Sequence, residues 1–139
     1  VFRRPGDSTV ARSLGVETVL PAIVDSVDHG LVTLRIGGTV LTAVGEAPVK
    51  PGDEVFACIR AEDVVVSAQP SAGGSARNHL TGRVMAIEAE GAIDRLTLEC
   101  GFELVAAITR QSREELALGP GSAIAAAVKA TAIHVVPKV

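Results

Sequence analysis

From Val19 onward the chain alternates apolar and polar positions in short runs, the pattern of half-buried strands. Residues 19–24 and Leu31–Ile36 are β-rich and are parted by Asp28-His29-Gly30, a turn signal. Gly37-Gly38 leads into Thr39–Val44, so 31–44 reads as a hairpin with a two-residue turn. After the turn Val49-Lys50-Pro51-Gly52-Asp53 come Glu54–Arg60 and 63–68. In Glu54–Arg60, Val55, Ala57 and Ile59 share one face, and Phe56, Cys58 and Arg60 the other. Both faces are mostly apolar, which predicts a strand covered on both sides.

The same plan recurs. Residues 79–88 form a longer strand, Gly91 marks a turn, and Leu96, Leu98 and Cys100 alternate with Arg95, Thr97 and Glu99. Gly101 turns into 104–108, and 122–129 and 131–136 finish the series. Pro51-Gly52 matches Pro120-Gly121, and Arg60-Ala61 matches Lys129-Ala130, both at a spacing of 69. Leu41 and Ala43 match Leu104 and Ala106 at a spacing of 63. The difference is an insertion of about one helical turn, which falls on 109–118. There Ser112-x-x-Glu115 has capping-box form, Leu116 and Leu118 supply apolar contact, and Gly119-Pro120-Gly121 stops the helix. Ahead of the repeats, 3–18 is polar, with Asp7 or Ser8 placed to cap a short helix closed by Gly15. The expected class is all-β: tandem small OB-like Greek-key barrels, with one short helix in the second. Residues 1–18 are expected as a linker, 19–69 as the first barrel and 75–137 as the second, parted by the loose tract 68–73.

Composition narrows the functions. Hydrophobic residues are 47% of the 139 and charged residues 21%, enough for a packed core. The three aromatics are all Phe, so the core is built from Val, Ile, Leu and Ala, and stacking of single-stranded bases is disfavoured. A net charge of −3 leaves no basic footprint for nucleic acid. No stretch is long and apolar enough to span a membrane, so direct membrane contact is not expected. Cys58 and Cys100 lack metal-ligand spacing and read as buried, reduced thiols, which favours the cytoplasm. The chain begins without Met, as a piece of something longer would.

The candidate chemistry is anion binding. Thr109 and Ser112, three apart at the start of the inserted helix, can aim two hydroxyls at one point. Helix starts also gather unpaired N–H groups. Arg77 adds a forked cation, Lys129 a point charge, and Ser75 with nearby backbone N–H groups neutral donors. A tetrahedral dianion offers four acceptor oxygens and no donor, and this set matches it without a metal. Taken singly, Ser112 is a helix cap, Arg77 a surface ion-pair partner and Lys129 a solvated strand-end lysine; their joint occurrence in one half carries the reading. His29, His79 and His134 stand apart from any nucleophile pattern, and no nucleophile elbow, metal cluster or GxxxxGK[ST] loop occurs, so no enzymatic step is expected.

Ser75-Ala76-Arg77-Asn78, Leu80-x-Gly82-x-Val84, Ile108-Thr109-x-x-Ser112, Leu116-x-Leu118-x-Pro120-Gly121 and Val128-Lys129-Ala130 together resemble a Mop domain, the molybdate-binding member of the TOBE group. The resemblance covers nearly the whole second half. It implies a small barrel, obligately dimeric or larger, that binds molybdate or tungstate at interfaces with no cofactor and no catalysis. It places the ligand on Ser75, Ala76, Arg77, Thr109, Ser112, Lys129 and Ala130, with the Ser-Ala-Arg-Asn segment and the Thr/Ser pair meeting across chains. The first half lacks both motifs. Phe2-Arg3-Arg4-Pro5, Val10-Ala11-Arg12, Gly15-Val16-Glu17 and Ile59-Arg60-Ala61-Glu62-Asp63 instead resemble the region after the ATPase core of ABC importers. The order, degenerate barrel first and Mop motif second, is similar to the regulatory domain of a molybdate or tungstate ABC transporter's ATP-binding subunit. The implied partners are a second copy, the ATPase core and, through it, the transporter's membrane subunits, at the cytoplasmic face. The alternatives are a dimerisation clamp without ligand and a stand-alone molybdate-binding or storage protein.

Overall fold

A computed structural model describes residues 16–45, 48–70 and 74–138. The helix expected near Asp7 or Ser8 lies outside them. Ten strands follow in order: β1 (Val16–Asp28), β2 (Leu31–Ile36), β3 (Thr39–Val44), β4 (Glu54–Arg60), β5 (Val65–Ser67), β6 (Asn78–Glu90), β7 (Ile93–Glu99), β8 (Glu103–Thr109), β9 (Ala123–Val128) and β10 (Ile133–Pro137). One short helix, α1 (Arg110–Glu115), follows β8, and single 3-10 turns at Ala61–Asp63 and Ala130–Ala132 precede β5 and β10. The class is all-β, as the alternation predicts.

The internal repeat is visible in the backbone. β1 and β6 are both 13 residues long, and each carries an irregularity in register, between Val24 and Ser26 and between Val84 and Ala86. Gly52 and Gly121 both take the left-handed region, at φ 94° and 90°. Each donates its N–H across to the longer strand, Gly52 to Val24 O at 2.8 Å and Gly121 to Val84 O at 2.7 Å. A β-branched or bulky residue at either turn would be strained by that φ.

The repeats are interlocked rather than laid end to end. β1, β2, β3 and β4 close into a barrel only with β10, which sits between β3 and β4. In return β5 leaves the first repeat and pairs with β9, giving a curled five-stranded sheet ordered β5-β9-β6-β7-β8. Each expected half therefore donates its last strand to the other. Ile133 of β10 is 1% exposed inside the first barrel, paired with Ile59. Inward positions of both units, among them Leu34, Leu41, Ile59, Leu96, Leu98 and Leu104, belong to one continuous core. Gly82, inside β6, lets the end of β7 cross closely: a Cβ there would lie 2.0 Å from Glu99 O.

Three sequence expectations need correction. Phe56 and Cys58, on the outer face of β4, are half-buried and not covered, because a strand in a single-layer barrel has only one core face. Cys100 is buried as expected, and burial pushes its thiol up from 9.0 to about 11, so it is protonated and inert at neutral pH. The cap of α1 is Thr109, not Ser112: the Thr109 hydroxyl accepts from Ser112 N at 3.1 Å. The helix also stops before Gly119-Pro120-Gly121. Leu116 ends it, and Ala117 takes the left-handed φ of 53° that reverses the chain.

Candidate anion-binding site

Asn78 holds the base of the candidate site. Its side chain is 5% exposed and joins the two units: Oδ1 accepts from Thr42 N at 2.7 Å, and Nδ2 donates to Thr42 O at 2.8 Å and to Val128 O at 3.1 Å. At the matching place in the first repeat stands Thr18, fully buried, whose hydroxyl accepts from Val105 N at 3.0 Å. The two clasps are related by the repeat, each polar side chain of one unit satisfying the third strand of the other. Buried polar groups of this kind are stable only when bonded, so they fix how the units meet. Asn78 therefore faces inward, and the residues before it form an exposed arm, steadied by His79 Nε2 at 3.0 Å from Ala76 O.

The arm carries Ser75, Ala76 and Arg77; Ser75 and Arg77 are exposed. β6 and β9 pair antiparallel with Asn78 opposite Val128, and Arg77 and Lys129 are the next residues beyond that end of the ladder. Lys129 is exposed and Ala130 is buried at the head of the 3-10 turn that follows. Every other described arginine and lysine has a partner. Arg35 bonds Asp25, Lys50 pairs with Asp53, Arg60 with Glu62, Arg95 with Glu17 and Glu90, and Lys138 with Glu54. Arg83 donates to Gly121 O, while Arg110 and Arg113 converge on Asp94. Among the described residues, Arg77 and Lys129 alone lack such a partner. Two neighbouring like charges repel, and an anion between them removes the repulsion.

The hydroxyl pair lies elsewhere in the same chain. Thr109 Oγ1 donates to Ser112 Oγ at 2.9 Å while accepting from Ser112 N, which leaves the Ser112 hydroxyl hydrogen uncommitted. Thr109 and Ser112 border a cavity of about 550 Å³ with Val66, Ile108 and Leu116. Ser75, Ala76 and Lys129 border a second cavity, of about 390 Å³, with His79 and Ala127. Val65 of β5 borders both. One chain thus sets Ser75, Ala76 and Lys129 around one cavity, with Arg77 and Ala130 adjoining them in sequence, and Thr109 with Ser112 around another.

The first repeat offers no equivalent of the free cations. Arg60 stands where Lys129 stands in the second and is paired with Glu62; Glu17 stands where Arg77 does and is bonded to Arg95 at 2.5 Å. One position is neutralised and the other reversed in sign. No group of three or more His, Cys, Asp and Glu among the described residues is placed to hold a metal ion. Two buried polar residues were not legible as site features: Thr18, in an ordinary strand pattern, and Asp94, a lone carboxylate after the Gly91 turn.

The TOBE domain family model matches residues 74–135. The chain is 37% identical over 138 residues to the molybdate/tungstate import ATP-binding protein WtpC of Pyrococcus horikoshii, covering 99% of this chain and 37% of that protein. It is 34% identical over 119 residues to the molybdenum import ATP-binding protein ModC of Rhizobium meliloti, covering 83% of this chain and 33% of that one. The chain thus spans about a third of the length of these relatives. Among solved structures it is similar to the cytoplasmic molybdate-binding protein ModG with molybdate bound, at a TM-score of 0.81 and 27% identity, covering 87% of this chain and 96% of that one. Residues 74–135, a little under half of the chain, thus carry the match to the TOBE domain, and the relatives that align with the chain are ATP-binding proteins named for molybdate, tungstate or molybdenum import.

Proposed function

We propose that this chain is an oxyanion-binding regulatory module of a molybdate or tungstate ABC importer, acting at the cytoplasmic face. The observation that carries the reading is the pair Arg77 and Lys129, which lie just beyond the last paired residues at one end of the β6–β9 ladder and have no carboxylate partners among the described residues. In this reading they hold a tetrahedral dianion, with Ser75 and backbone N–H groups near Ala76 and Ala130 as neutral donors. The separation of Thr109 and Ser112 from that group within one chain supports a site completed by a second copy. The partner's hydroxyl pair would then donate from Ser112, whose hydrogen is uncommitted. The first unit, with its charges paired, positions the second through the Asn78 and Thr18 clasps. Binding regulates only if the oxyanion has different affinities for two arrangements of the copies; those arrangements would be passed to the ATPase cores and thence to the membrane subunits.

Titration calorimetry with molybdate, tungstate and sulfate tests the reading. Saturable binding of the first two, none with sulfate, and loss of binding in both Arg77→Ala and Lys129→Ala are expected. At molybdate 100 times its Kd the chain should gain about 2.7 kcal/mol of stability, read as a rise in Tm. No heat and no shift with any oxyanion would leave a dimerisation clamp without ligand.

A further inference from the structure

We propose that Asp94 is a positioning residue for the oxyanion site, holding α1, and with it the Thr109–Ser112 hydroxyl pair, through a buried charge clamp. The inference rests on the oxyanion reading for its purpose, and on the following geometry for its substance. α1 has six residues and none of them is buried. A helix that short is unstable alone, and this one has no apolar face of its own to dock. Its attachment is polar. Asp94 of β7 is fully buried, its Oδ2 accepting from Arg113 Nε and its Oδ1 lying 3.8 Å from Arg110 Nε. Arg110 N donates to Ala92 O at 2.9 Å, tying the first turn to the same stretch of chain. Arg110 follows the cap residue Thr109, and Arg113 follows Ser112, so fixing the two guanidiniums fixes the residues that carry the hydroxyls.

The repeat supplies an internal control. β7 and β8 set Asp94 opposite Ile108, just as Gly30 faces Gly45 in the first repeat, bonded by Gly45 N to Gly30 O at 3.0 Å. Where the sequence has no counterpart of the inserted segment 109–118, it has no counterpart of the carboxylate either. Asp94 also draws Arg110 and Arg113 under the helix, so those two cations are spent on placement and not presented to a ligand.

The test separates placement from charge. Were Asp94 no more than a nearby negative charge, Asp94→Asn would tighten oxyanion binding by removing repulsion. As a clamp, its loss weakens molybdate binding at least tenfold in the 139-residue chain, and Arg113→Gln weakens it in the same direction. Amide hydrogen exchange, read by NMR without ligand, should quicken at least tenfold at Ser112 and Leu116 in both variants. The amides donate to Thr109 Oγ1 and to Ser112 O, bonds that exist only while α1 is formed. Leu98 and Val84, in the core, should keep wild-type protection. Wild-type exchange at Ser112 and Leu116 in both variants, or tighter molybdate binding in Asp94→Asn, overturns the proposal. A wild-type chain that binds no molybdate overturns the oxyanion reading instead, and the exchange result still decides the clamp. Should Asp94→Asn fail to fold, Arg113→Gln, altered at a partly exposed side chain, carries both measurements.

Discussion

Asn78 shows how one residue serves fold and site together. Its three hydrogen bonds reach two strands of different units, the bond to Val128 O buried and the two to Thr42 part-buried. Replacing it with Ala leaves Thr42 N, Thr42 O and Val128 O without that partner at a seam that is largely closed to water. Asn78→Ala is expected to cost about 3 kcal/mol, seen as a lower urea midpoint with little change in slope. A loss below about 0.5 kcal/mol would mean that the clasp does not fix the units. The motif Ser-Ala-Arg-Asn was legible in the sequence, but the division of labour within it was not. Ser75 and Arg77 point the motif outward, while Asn78 is turned into the seam, and only the partner strand at Thr42 reveals that.

At the scale of an element, α1 illustrates how local signals compete. The Ser112-x-x-Glu115 spacing satisfies a capping box, yet Thr109 takes the cap because β8 delivers it in extended geometry at the first turn, φ −71° and ψ 151°. The stop signal was likewise displaced: Gly119-Pro120-Gly121 is a strong breaker, but the chain must turn at Ala117 to bring Leu118 into the core, where it is 6% exposed. A non-glycine residue in the left-handed region is strained, and no packing at Ala117 requires the methyl, which is exposed. Ala117→Gly is therefore expected to stabilise the chain by about 1 kcal/mol, as a rise in Tm, without change in oxyanion affinity. A fall in Tm would contradict the assignment of backbone strain to the left-handed Ala117.

For the whole molecule, the exchange of β5 and β10 makes the two repeats one cooperative body. Removing β10 by ending the chain after Lys129 takes the strand between β3 and β4 out of the first barrel, together with Ile133 from its core. The truncated chain is expected to lose the first barrel's ordered NMR signals, although residues 16–60 are untouched. In the intact chain, signals from both units should disappear at the same urea concentration. Two separate transitions, or a folded first barrel in the truncated chain, would show that the units fold independently.

Much of this architecture is local in origin and so was readable in order. Alternation placed β2, β3 and β4 at their observed bounds, because each side chain reports which face of its own strand is buried. Composition and the repeat likewise marked the second half as the one carrying unusual chemistry, since Arg77, Thr109 and Ser112 have no counterparts of the same type in the first. What the tertiary structure alone decided involves residues far apart in the chain. The strand exchange leaves no trace in alternation, because β5 and β10 present the same pattern in either unit. Asp94 is unremarkable until Arg110 and Arg113 fold over it. That Arg77 and Lys129 lack counter-charges among the described residues is likewise a property of the whole set of ion pairs: sequence lists the charges, but pairing is fixed only when folding sets their distances.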